Sequence, residues 1–192
     1  MKRLMMATLF CFAGATLALP QEPAKDKKKD ATECPLHEQH MKEKQAGATA
    51  DHEHDAMNKR GEDARGMGFT QSGTVHHFLL GKDGGAIQVE VKDANDRATI
   101  DTVRAHLQKI ASSFSAGDFS IPEFVHGTKP DGMDTMQAQK QKIQYRFEEL
   151  PAGGRVVIAS KDKKATNAVH EFLRFQIVEH RTGDPLVAAG SK

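Results

Sequence analysis

Two stretches of this chain repeat one order of elements, strand, strand, helix, and that repetition leaves few folds open to it. Thr74 to Leu80 alternates apolar and polar residues, meets the turn sequence Gly81-Lys82-Asp83-Gly84-Gly85 and returns as Ala86 to Val91. Lys142 to Glu148 behaves alike, turns at Pro151-Ala152-Gly153-Gly154 and returns as Arg155 to Ala159. Alternation about a glycine-rich turn is the pattern of a β-hairpin. A slide of 69 residues lays Phe147 on Phe78, Gly153 and Gly154 on Gly84 and Gly85, and Ile158 on Val89.

A helix is expected after each hairpin. Asp101 is placed to cap a segment in which Val103, Leu107, Ile110 and Phe114 recur at helical spacing, and Gly117-Asp118 ends it. The second begins near Lys164, turns Val169, Phe172, Leu173 and Ile177 to one side, and stops at Thr182-Gly183-Asp184-Pro185. A slide of 66 residues superposes the two Gly-Asp pairs and brings Val169 onto Val103 and Leu173 onto Leu107. Two amphipathic helices need one apolar sheet face. The expected fold is therefore α+β, with duplicated strand-strand-helix units forming a four-stranded antiparallel sheet and both helices on one face. The other face, carrying His77, Leu79, Arg146 and Glu148, is left for a second copy or a protein partner. Phe119 to Gly132 bridges the repeats, with a short helix expected at about residues 134–141.

Composition sets the boundaries. Lys2-Arg3 precede an apolar run from Leu4 to Leu19, and Thr16-Leu17-Ala18 fits the small-x-small rule of signal cleavage, so residues 1–18 read as a secretory signal peptide. The mature chain is then expected in the periplasm or outside the cell, with no transmembrane segment. Residues 19–66 hold no aromatic residue and no Ile or Val, which predicts a tail without stable tertiary contacts. Residues 67–187 form the α+β domain and residues 188–192 a flexible C-terminus. Over residues 20–66, 9 Lys/Arg stand against 11 Asp/Glu, and the whole chain carries +1. Neither balance drives binding to nucleic acid.

The tail concentrates metal-binding side chains. Cys34, His37, His40 and Met41 are followed by His52, His54 and Met57. Imidazole, thiolate and thioether suit copper and zinc, whereas magnesium prefers carboxylates and water. Cys11 leaves with the signal, so Cys34 stands alone and cannot form an internal disulfide. Cys34-Pro35-Leu36-His37 resembles the Cys-Pro-x-His opening of short heavy-metal-binding segments of bacterial copper-handling proteins. Glu38 stands where those segments usually carry proline.

Six further histidines lie in the domain. Period two puts His76 on one strand face with Phe78 and Leu80, and His77 on the other with Val75 and Leu79. His106 borders the apolar stripe of the first helix, His126 sits in the bridge, and His170 and His180 occupy the second helix. Each has an ordinary structural explanation: His76 or His106 as a hydrogen-bonded residue at the core edge, His180 as a cation at a helix C-terminus. The candidate domain ligands are His76, His77, His106, His126 and His170. The motifs of common enzymes are absent: His37-Glu38-Gln39-His40 lacks the four-residue spacing of a zinc-protease helix, and there is no Gly-x-Ser-x-Gly, phosphate-binding loop or Cys-x-x-Cys.

Met67-Gly-Phe-Thr-Gln71, His76-His-Phe-Leu-Leu80, Gly84-Gly85, Gly117-Asp-Phe119, Phe124-Val-His126 and His170 to Ile177 together resemble a family of exported bacterial proteins. That resemblance implies a shared fold and export and supplies no activity. The leading expectation is an exported protein that binds copper or zinc. The alternatives are an interaction module with the tail as spacer and, further off, a small hydrolase or redox enzyme.

Overall fold

A computed structural model describes residues 35–188, together with their side chains other than those of residues 35–46 and 48. The expected signal peptide, Cys34 and residues 189–192 lie outside the described residues. The chain divides after Met41, and the tertiary structure below is that of the described residues from Lys42 onward.

Four strands, β1 (Thr74–Gly81), β2 (Gly84–Val91), β3 (Ile143–Leu150) and β4 (Gly153–Ser160), form one antiparallel sheet in the order β1-β2-β4-β3. Corresponding strands of the two hairpins start 69 residues apart, as the repeat predicts. The second strands of the hairpins pair at the centre, from Gly84 opposite Ala159 to Glu90 opposite Gly153. Glycine is required at that seam: a Cβ on Gly84 or on Gly153 would collide with the carbonyl oxygen of Ile158 or of Val89. Gly84 also adopts φ +138°, which other residues rarely do.

Two long helices cover one face, α2 (Arg97–Ala116) and α5 (Lys163–Glu179). α2 bears mainly on β3 and β4, and α5 on β1 and β2. Each helix thus covers chiefly the hairpin of the opposite repeat, so neither repeat buries its own apolar face alone. The α2 stripe of Ile100, Val103, Leu107, Ile110 and Phe114 is buried, as are Ala165, Val169, Phe172, Leu173 and Ile177 of α5. The expected cap at Asp101 is displaced: α2 starts a turn earlier, where Asp96 Oδ1 accepts the Thr99 amide at 3.1 Å and Oδ2 accepts its hydroxyl at 2.6 Å. Asp162 caps α5 through the Lys164 and Ala165 amides. The bridge holds two short helices, α3 (Ser120–His126) and α4 (Met133–Ala138).

The segment expected to lack stable contacts is in part a docked helix, α1 (Pro35–Glu62). Its Ala, Glu, Lys, Gln and Met residues favour helix without needing a broad apolar face. Contact with the domain comes from its last turns. Met57 is 2% exposed, Arg60 Nε donates to Val125 O at 2.8 Å, and Arg181 Nη1 donates to Asp51 Oδ1 at 2.9 Å. One buried methionine contributes roughly 1.5–3 kcal/mol, enough to seat a short run of polar helix. Among the described residues no helix is long and apolar enough to cross a membrane.

Candidate functional site

Where α2, α3 and α5 meet the inner face of β1 and β2, the core leaves a cavity of ≈ 60 Å³ with four histidines in its wall. Each arrives from a different element: His76 from β1, His106 from α2, His126 as the last residue of α3, and His180 just past the end of α5. Met67, Phe78 and Gln176 also line it. The His126 and His180 rings meet edge to face with centroids 5.1 Å apart, and His76 lies 5.5 Å from His180. Phe69 stands edge-on to His76 and to His106. A volume of this size takes an ion or one or two waters, not an organic molecule.

The polar atoms of the cluster are incompletely satisfied. His76 Nε2 is 3.1 Å from Thr74 Oγ1, and His126 Nε2 donates to Gln176 Oε1 at 3.0 Å. Among the described residues His126 Nδ1, His180 Nδ1, Gln176 Nε2 and His54 Nε2 are buried without a hydrogen-bond partner. The closest carboxylate oxygen to His126 Nδ1, Glu179 Oε2, stands at 3.9 Å, beyond hydrogen-bonding range. An unpaired buried polar atom costs about 1–3 kcal/mol, so several in one place call for an explanation.

Burial keeps these rings neutral. It pushes the pKa of His76 down to about 4, with His77 adding to the effect. It does the same for His106, helped by His76 and Lys109 and opposed by the Gly66 backbone, again to about 4. His126 falls to about 4 through burial, which outweighs its bond to Gln176. His180 is driven well below the ordinary imidazole value, by burial first and then by His76, His126 and His54. At neutral pH all four are in the lone-pair form that binds metals. His180 therefore does not serve the helix C-terminus as a cation.

The remaining candidates are dispersed. Cys34 lies outside the described residues, and His37, His40 and Met41 fall on α1 with side chains outside them. His52 is exposed, and half-buried His54 on α1 is near enough to His180 to help lower its pKa. Nε2 of His170 donates to Gly81 O at 2.8 Å and faces Gly84 O at 3.0 Å, tying α5 to the first hairpin turn. His77 lies on the open sheet face, where its Nδ1 donates to Asp184 Oδ1 at 2.9 Å. The Phe78 amide and the Thr182 hydroxyl donate to the other Asp184 oxygen. Burial alone would raise the Asp184 pKa, but these three donors outweigh it and hold the carboxyl below its ordinary value. Among the described residues no three His, Cys, Asp or Glu side chains come together as a ready metal-holding group.

Sequence reasoning passed over His180 and Gln176 as site residues. A signal was present: Gln176 and His180 follow Phe172 at four-residue steps and so continue the buried side of α5. Met67 and Asp184 carried no comparable periodic mark.

Comparison with protein-family models, curated proteins and solved structures finds no match for this chain.

Proposed function

We propose that this is an exported protein that binds a transition metal, copper or zinc, and that the histidine cavity of the folded domain is the principal seat. One observation carries the reading: neutral imidazoles converge on an apolar cavity, and two of them, His126 and His180, keep a buried ring nitrogen without a partner. A metal bound at either nitrogen would supply the partner it lacks. The tail residues Cys34, His37, His40 and Met41, with His52 and His54, supply a second ligand set of the same chemical class. The signal-like N-terminus supports export.

Metal analysis and calorimetry on the purified mature chain test this. Wild type is expected to bind one equivalent or more. Replacement of Cys34, His37 and His40 together should leave the domain-bound equivalent in place, whereas His126→Phe with His180→Phe should remove it. Wild type that takes up neither copper nor zinc defeats the proposal.

A second reading rests on the open sheet face. Val75 and Leu79 are 40% and 39% exposed there, beside a row in which His77, Gln88, Arg155 and Glu148 stand on adjacent strands. As an assembly surface this face would pair two copies or a protein partner. Sedimentation of wild type against Leu79→Glu tests it: a dimer that becomes monomer supports pairing, and a wild-type monomer removes the homodimer.

A further inference from the structure

We infer that the histidine cavity takes copper as the monovalent ion, Cu(I), in preference to zinc or Cu(II); this rests on the transition-metal reading above. The donors in its wall are uncharged: the imidazoles of His76, His106, His126 and His180, the Gln176 amide and the Met67 thioether. No Asp, Glu or Cys is among the lining residues; Glu179, whose Oε2 stands 3.9 Å from His126 Nδ1, lies outside this wall with its side chain 43% exposed. An ion held only by neutral groups keeps its full charge inside the core, and the cost of taking an ion out of water grows as the square of that charge. A divalent ion pays about four times the cost of a monovalent one by this scaling. Protein zinc sites in dry surroundings commonly offset it with thiolate or carboxylate ligands, which this wall lacks.

Coordination number points the same way. Zinc takes four ligands in a tetrahedron. Cu(I) is content with two or three soft or imidazole donors, and a linear or bent pair of imidazoles is enough. The structure offers such a pair in His126 and His180, each with an unpartnered Nδ1 and with rings 5.1 Å apart. This agrees with the lack of a three-residue metal-holding group among the described residues. His76, 5.5 Å from His180, or the Met67 thioether is close at hand as a third donor. Thioether sulfur favours Cu(I) over harder divalent ions.

The test uses the full mature chain with Cys34→Ser, His37→Ala and His40→Ala, so that the tail does not compete. Cu(I) is delivered anaerobically from a chromophoric Cu(I) chelator, and Zn(II) is titrated separately against its own indicator. The expected result is one equivalent of Cu(I) withdrawn from the chelator, no comparable uptake of Zn(II), and loss of the Cu(I) equivalent in His126→Phe with His180→Phe. Should that double variant fail to fold, X-ray absorption on the Cu(I) complex decides in its place. Two or three scatterers dominated by imidazole nitrogen support the inference, and a four-coordinate shell overturns it. Zn(II) bound as tightly as Cu(I), and lost in the same double variant, overturns the Cu(I) preference and leaves the transition-metal reading standing. Uptake of neither ion overturns both.

Discussion

His126 donates its Nε2 proton to Gln176 Oε1 across 3.0 Å, and this bond settles which ring nitrogen keeps a lone pair. An amide oxygen only accepts, so the proton must sit on Nε2 and Nδ1 must be bare. Partners that fix a ligand's tautomer in this way raise metal affinity by about 10–100-fold. Gln176→Ala is therefore expected to weaken Cu(I) binding by about that factor while circular dichroism stays that of a folded domain. Chelator competition reads the change, and an unchanged affinity would mean that His126 does not ligate through Nδ1.

Acid should unfold this domain from an unusually high pH. The folded-state pKa values of His76, His106 and His126 lie at about 4, below the 6.5 of an unhindered imidazole. Between those values the unfolded chain binds protons that the folded one refuses. Stability is thus full above about pH 6.5 and falls as pH drops toward 4, by up to about 1.4 kcal/mol per pH unit for each group. Asp184, with its lowered pKa, loses its contribution only below the ordinary carboxylate range, outside this window. Denaturant midpoints at pH 7.5 and 5.0 should differ clearly in wild type and less in His76→Phe. Equal midpoints would mean that the rings are not buried.

The sheet was legible because a two-residue period and a glycine turn are local signals. Both hairpins, their 69-residue offset and the shared face of the two helices follow from residues close together in sequence. The crossing of α2 onto β3 and β4 was not legible, since nothing near Val103 or Leu107 says which hairpin they will meet. The N-terminal boundary was misplaced for a related reason. Absence of Ile and Val argues against a core, yet one methionine at position 57 suffices to seat a helix already favoured by its composition. Of the four cavity histidines, three could be named from strand and helix periodicity or from the bridge. That they converge, and that His180 joins them, depends on packing between elements.

Met57 supplies a direct test of the docked helix. It is 2% exposed on an otherwise polar α1, so Met57→Ala should cost about 2–5 kcal/mol, in the range expected for Leu107→Ala in the core of α2. His52→Ala, five residues earlier and exposed, should stay within about 0.5 kcal/mol of wild type. Chemical denaturation measures all three. A midpoint that moves for Leu107→Ala and not for Met57→Ala would detach α1 from the domain.

Asp184 guards the edge of the sheet. Its carboxylate accepts the Phe78 amide at 2.9 Å on β1, one of the two edge strands, and holds the His77 ring by Nδ1 from the same position. Removing it leaves that amide to water and releases the ring, a loss of about 1–3 kcal/mol. In Asp184→Ala the Phe78 amide should exchange with solvent faster than in wild type, while the amides of the central β2 and β4 pairing keep their protection. Nitrogen NMR should show the neutral His77 ring moving from the Nδ1–H tautomer toward Nε2–H, the form favoured when no acceptor faces Nδ1. Unaltered exchange at Phe78 would show that the C-terminal segment does not lie along β1 in solution, and an unaltered His77 tautomer that its ring is held by something other than Asp184.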